Sequence, residues 1–120
     1  MAKMERKTFD TPAETRTVEK GKIDVVKLAE VTVMRMRLEP GWVWSECVKP
    51  VVGTASCRVG HLMYVISGRM GVLMDDGSEV EFRPGDVGVI PAGHDAWIIG
   101  DEAFVGIDFQ GGADYAKPKE

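Results

Sequence analysis

The chain is poor in the residues that most often announce a function. Of its 120 residues only two are histidine and two cysteine. Cys47 and Cys57 are too few to form the bridge framework of a small secreted domain, and in a reducing compartment they are thiols. No apolar run approaches the roughly 18 residues of a membrane span. The opening MAKMERKTFD has no apolar core of a secretory signal. The expected compartment is therefore the cytoplasm, with no membrane partner. There is no basic excess: 15 Lys and Arg stand against 19 Asp and Glu, for a net charge of −4. That balance implies no nucleic-acid partner. No internal repeat or low-complexity tract is present. GxSxG, P-loop, GxGxxG, CxxC and HExxH motifs are all missing, so none of the chemistries they carry is indicated. Finally, no segment sustains the 3.6-residue period of a helix over about twelve residues.

What is present is the composition of an ordinary globule, 44% apolar and 28% charged. Its length suits one domain with one core. Residues 1–22 are read as an N-terminal arm. It either packs on a neighbouring subunit or is a loosely held terminus. From Ile23 the texture changes. VTVMRMRLE alternates with the period of a strand, and WVWSECV reads as a further strand closed by Pro50, followed by the loop PVVGTAS. CRVGHLMYVISG, RMGVLMDDG, SEVEFRPGD, VGVIPAG, HDAWIIGDE and AFVGIDFQGG follow as short strands with Ser-Gly, Asp-Gly and Pro-Gly breaks. Strands at this spacing predict an all-β sandwich or barrel over residues 23–112, with 113–120 a polar C-terminal tail.

Two of these segments carry a more specific pattern. PGDVGVIPAGHDAW places Gly85, five residues, Pro91, Gly93 and then His94. It resembles the second motif of the cupin superfamily, G(X)5PXG(X)2H(X)3N. The first cupin motif is G(X)5HXH(X)3,4E(X)6G, and its two ends are visible at Gly41 and Gly68. Counting forward from Gly41 puts Cys47 at the first His position and Lys49 at the second. Counting back from Gly68 puts His61 at the Glu position. PVVGTASC then looks inserted. The resemblance, which covers roughly residues 30 to 110, implies a single-domain jelly-roll β-barrel of two antiparallel sheets. Its first motif is degenerate.

The resemblance places both histidines on or near ligand positions. It implies a divalent metal, zinc, iron, copper or nickel, held by His61 and His94 with Cys47 and Cys57 as further candidates. Imidazole suits all four metals, and a thiolate favours zinc or a soft ion. Against this stands the plain alternative that buried His and Cys are hydrogen-bonded or packed core residues. Strand parity puts Cys57, His61, Met63 and Val65 on one face and Tyr64 on the other. In the second motif His94 stands two places before the usual position, which is Ala96. Asp95 either orients an imidazole or closes the turn. Trp44, Met63, Trp97 and Lys49 are the candidates for lining a small-molecule pocket, although the tryptophans could equally staple the two sheets together.

Three functions remain open. The first, preferred, is a metal-binding cupin with a small-molecule pocket, enzymatic or not. The second is a metal-free cupin that binds or senses a small ligand. The third is a structural dimerisation module with a filled core. The common cupin ligand set is missing, which argues against the usual oxygenase or decarboxylase chemistry. The resemblance also implies a homodimer.

Overall fold

Alternation of apolar and polar residues sets nearly every element of the computed structural model, which describes residues 3–117. Nine strands are found among them: β1 Glu14–Val18, β2 Gly21–Leu28, β3 Val31–Leu38, β4 His61–Ser67, β5 Arg69–Met74, β6 Glu79–Phe82, β7 Val87–Ile90, β8 His94–Ile99 and β9 Phe104–Asp108. They form a six-stranded sheet in the order β1-β2-β3-β9-β4-β7 and a three-stranded sheet in the order β6-β5-β8. Every pairing is antiparallel. The protein is an all-β jelly roll of two antiparallel sheets, as the resemblance implied; the strand spacing implied the all-β class.

The core lies between the sheets. Met34, Met36, Leu38, Met63, Val65 and Phe104 face inward from the large sheet, and Met70, Val72, Ala96 and Ile98 from the small one. Burying such side chains is worth about 1.5–3 kcal/mol each and drives the sheets together. Tyr64 points outward between Leu62 and Ile66, opposite His61. Gly68 makes the corner from β4 to β5 with φ 76°. A Cβ there would stand 2.6 Å from Ala103 O and Phe104 Cα, so only glycine fits.

Three expectations are corrected here. WVWSECV is not a strand. Trp44–Cys47 (α1) and Lys49–Val52 (α2) are single helical turns, and only Val43 bridges to a strand, at Trp97. Trp42, Trp44, Cys47 and Val48 are all buried. Residues 44, 47 and 48 share a helical face, a local period too short to separate from alternation. The sheet also begins earlier than Ile23. Glu14–Val18 pairs with β2 inside the segment read as an arm, and Phe9 lies over Arg35 of the same chain at 5.2 Å. Met1 and Ala2 of that segment lie outside the described residues. Lastly, the polar tail is not wholly peripheral. A 3-10 turn at Gly111–Ala113 carries Tyr115 and Ala116 into the core, both buried. Residues 118–120 of the tail lie outside the described residues.

Candidate metal centre

His61 is the first residue of β4 and His94 the first of β8, and both begin a buried parity: His61, Met63, Val65 and His94, Ala96, Ile98. The strands belong to different sheets, so the two imidazoles meet across the barrel, with ring centroids 5.3 Å apart. Cys57 joins them from the chain leading into β4. Its N–H donates to His94 O at 2.7 Å, and its carbonyl accepts from Gly93 N–H at 2.6 Å. Gly93 has φ 93°, a left-handed conformation that lets the chain turn directly into His94. One ligand atom each from Cys57, His61 and His94 then lies within 4.8 Å of the other two. All three residues are buried.

Both imidazoles are oriented through Nδ1. That of His61 meets the Asp108 carboxylate at 2.5 Å, and that of His94 meets the carbonyl of Pro91 at 2.8 Å. A carbonyl and an ionised carboxylate can only accept, so each Nδ1 carries the proton. In the neutral ring this tautomer leaves the lone pair on Nε2, the form that binds metal. His61 Nε2 is 3.8 Å from Cys57 Sγ.

Asp108 is fully buried, yet it is well supplied with donors. Oδ1 accepts from the backbone N–H of Leu62, Gln110 and Gly111 at 3.2, 2.9 and 3.1 Å, and Oδ2 from His61. Burial raises its pKa, but the hydrogen bond from His61 and the backbone donors outweigh it, and the carboxyl stays below its usual value. Burial also dominates at Cys57. With the negative charges of Asp108 and Asp95 it pushes the thiol up to about 11, against a weak bond to Val59. At His94 burial lowers the pKa and favours neutral imidazole, despite the bond to Pro91. Tyr115, whose ring centroid is 5.2 Å from that of His61, is raised well above the usual phenol value, chiefly by burial.

The donor set suits a borderline or soft divalent ion. Two neutral imidazoles and one thiol fit zinc best, and a cation would reverse the burial penalty on Cys57 by taking its proton. The chamber beside the ligands is walled by Met36, Trp42, Trp44, Met63, Met70, Ile90, Ala96 and Tyr115, with a free volume of about 10 Å³. That is about the space of one water molecule. Trp42 Nε1 is buried without a hydrogen-bond partner, alone in this among the described residues.

The sequence-predicted residues divide cleanly. His61, His94 and Cys57 converge, and Met63 and Trp44 line the chamber. Cys47 is buried on α1, outside the ligand cluster, and Lys49 is exposed on α2. Both had been placed by counting forward from Gly41, across the two helical turns. Counting back from His61 across three intervening residues lands on Cys57 at the second His position and leaves Ala55 at the first. Trp97 lies on the opposite face of β8 from Ala96 and Ile98. It covers Gly71, where a Cβ would lie 2.4 Å from the indole. Trp42 takes the chamber wall instead. Asp95 accepts the Ser45 N–H at 3.0 Å and holds α1 rather than an imidazole. Asp108 was missed. Its signal is a lone carboxylate at the buried parity of Phe104 and Gly106, which demands a partner.

With this geometry established, known proteins can be compared. A family model described as EutQ-like cupin domain matches residues 48–104, just under half of the chain. A Rhizobium leguminosarum protein of unknown function is 20% identical with a TM-score of 0.62, covering 98% of this chain and 100% of that one. The oxalate decarboxylase of Lactobacillus farciminis, solved as a formate complex, is 20% identical with a TM-score of 0.60. That match covers 85% of this chain but only 32% of the decarboxylase, so the chain spans about a third of that protein. KdgF from Halomonas is 19% identical with a TM-score of 0.57, covering 82% and 86%. At these identities the likeness is one of fold. No curated protein matches significantly.

Proposed function

We propose that the chain is a small cupin domain and a metal-binding one, with Cys57, His61 and His94 holding a divalent ion, zinc by preference. The observation that carries this reading is the convergence of three buried donor atoms within 4.8 Å, with both Nδ1 positions already committed to acceptors. A core that merely tolerated these side chains would gain nothing from aiming two lone pairs and a thiol at one point. Three protein ligands leave a coordination position free, and the ion would supply Lewis-acid polarisation to whatever reaches it. The chain's own residues do the rest. Asp108 and the Pro91 carbonyl fix the tautomers, and the apolar walls keep bulk water from the donors.

Within this reading the ligand is a small organic molecule. A groove of about 430 Å³, lined by Trp44, Val48, Val52, Val59 and Tyr115 with Arg58 and Lys117 among its polar residues, lies against the site and supports that part of the proposal. The same groove favours the alternative of a metal-free binding module.

Elemental analysis after expression in zinc-supplemented medium separates the two. Stoichiometric metal in the wild type and in Cys47→Ala, lost in Cys57→Ala and His94→Ala, is the expected result. A folded wild type without metal would leave the metal-free module standing.

A further inference from the structure

Two cavities flank the ligand cluster, the small inner chamber and the outer groove. Their linings share two side chains, Trp44 and Tyr115. His61 and His94 line the chamber, and Cys57 belongs to the groove wall, with only 2% of its surface exposed. The ligand cluster therefore sits at a partition made by an indole and a phenol. With a free volume of about 10 Å³ the chamber admits no organic molecule while that partition stands.

The two halves of the partition are held differently. Trp44 is fixed inside α1, whose Ser45 N–H is tied to Asp95 and whose Trp44 carbonyl accepts from Val48. Tyr115 lies beyond the last strand, on a short segment rooted at Gly111 and Gly112. The root is rigid. A Cβ at Gly111 would meet Asp108 Oδ2 at 2.7 Å, and one at Gly112 would meet Thr32 Cγ2 at 2.8 Å. Past the root, Tyr115 and Ala116 pack on the core, and among the described residues one hydrogen bond ties the segment to the barrel, from a buried guanidinium. Arg16 Nη1 on β1 donates to the Tyr115 carbonyl at 2.7 Å. Arg16 is itself gripped by both carboxylate oxygens of Glu14, at 3.0 and 3.1 Å. The next residue, Ala116, sits at φ 55°, a left-handed conformation that alanine adopts only at a cost.

We propose that residues 113–117 are a strap latched by Arg16, and that its opening withdraws Tyr115 from the partition and joins the groove to the ligand cluster. The strap governs access. It supplies no ligand, so opening changes how fast a small molecule or ion arrives and leaves, not how tightly the three donors hold it. What arrives at the cluster rests on the metal reading above. The gate itself does not.

The test is alkylation of Cys57 by iodoacetamide in metal-free protein carrying Cys47→Ala. Closed, Cys57 is buried, so labelling follows the open population. Arg16→Met is expected to speed labelling at least about tenfold, beyond any change in global stability measured by urea unfolding. Glu14→Gln, which loosens the grip on Arg16 without removing it, should give a smaller increase. Labelling at the wild-type rate in both folded variants overturns the gate. If Arg16→Met does not fold, Glu14→Gln and Tyr115→Ala decide in the same way. Zinc-loaded protein adds a second readout: chelator extraction should speed up in Glu14→Gln while the equilibrium affinity stays unchanged. A lost affinity would instead make Tyr115 or its segment part of the binding site and would overturn a pure gate. Because alkylation needs no metal, a failed zinc analysis and a failed gate are separate results.

Discussion

Asp108 and His61, 47 residues apart in sequence, meet at 2.5 Å where the end of β9 runs beside the start of β4. The carboxylate holds the imidazole in the tautomer that offers Nε2 to the cluster. It is also the anchor for the N–H groups of Gln110 and Gly111, where the chain leaves the barrel.

Asp108→Asn keeps the shape and removes the charge. The Oδ1 acceptor is already committed to three backbone donors, so the new amide NH2 faces His61. Nδ1 must then accept, and the proton moves to Nε2, where it blocks a ligand position. Zinc affinity is expected to fall about 10–100-fold. Competition with a fluorescent chelator measures it, and an unchanged affinity would remove Asp108 from the orienting role.

The Cys57 thiol gives a pH signature. Burial holds it at about 11 in the folded, metal-free chain, above the ordinary value of 9.0. Between these values the unfolded chain binds fewer protons than the folded one. Stability from this group is thus fully present below the ordinary value and is lost as pH rises toward the folded one. Near neutral pH the thiol is protonated, so metal uptake must release a proton. Titration calorimetry in buffers of different ionisation enthalpy should show that release in the wild type; heats independent of the buffer would remove the Cys57 thiolate from the ligand set.

Gly68→Ala tests the fold without touching the site. Its positive φ alone costs about 1–2 kcal/mol, and the new Cβ would lie against the backbone of Ala103 and Phe104 at 2.6 Å. Urea unfolding should show a loss above about 2 kcal/mol.

The tryptophans should separate by face. Trp97→Ala is expected to lower stability by roughly 1–2 kcal/mol, below the cost of a core tryptophan, and to leave metal affinity unchanged. Trp44→Ala is expected to cost about 3–5 kcal/mol and to speed thiol labelling of Cys57. Equal effects from the two would contradict their assignment to opposite sides of the barrel wall.

These contrasts mark how far the sequence could be read. From His61 onward, strands, turns and inward faces followed from period-two alternation and Gly-Pro punctuation, which are local signals. His61, His94 and Met63 inherited their positions from that parity. The helical turns at 44–52 were not legible. Trp42 and Trp44 alternate as a strand would, and a single turn has no period to set against it. The displaced count from Gly41 followed directly and gave Cys47 and Lys49 the places that Cys57 partly fills. Tyr115 gave no warning either. One aromatic between Asp114 and Lys117 has no pattern, and its burial is decided by the room left at the barrel mouth. Asp108 was readable only as a cost. A carboxylate on an inward strand position must be partnered, but the sequence does not name the partner.

The main-chain bridge between Cys57 and His94 has a mechanical consequence. It stitches the lead-in to β4 of the large sheet to β8 of the small one, at the mouth where the sheets could most easily part. An ion held by Cys57, His61 and His94 would be a second stitch through the same seam, and a removable one. Anything that binds only the native form raises the melting point with its concentration. The melting curve of the whole barrel would thus serve as an occupancy gauge for the seam.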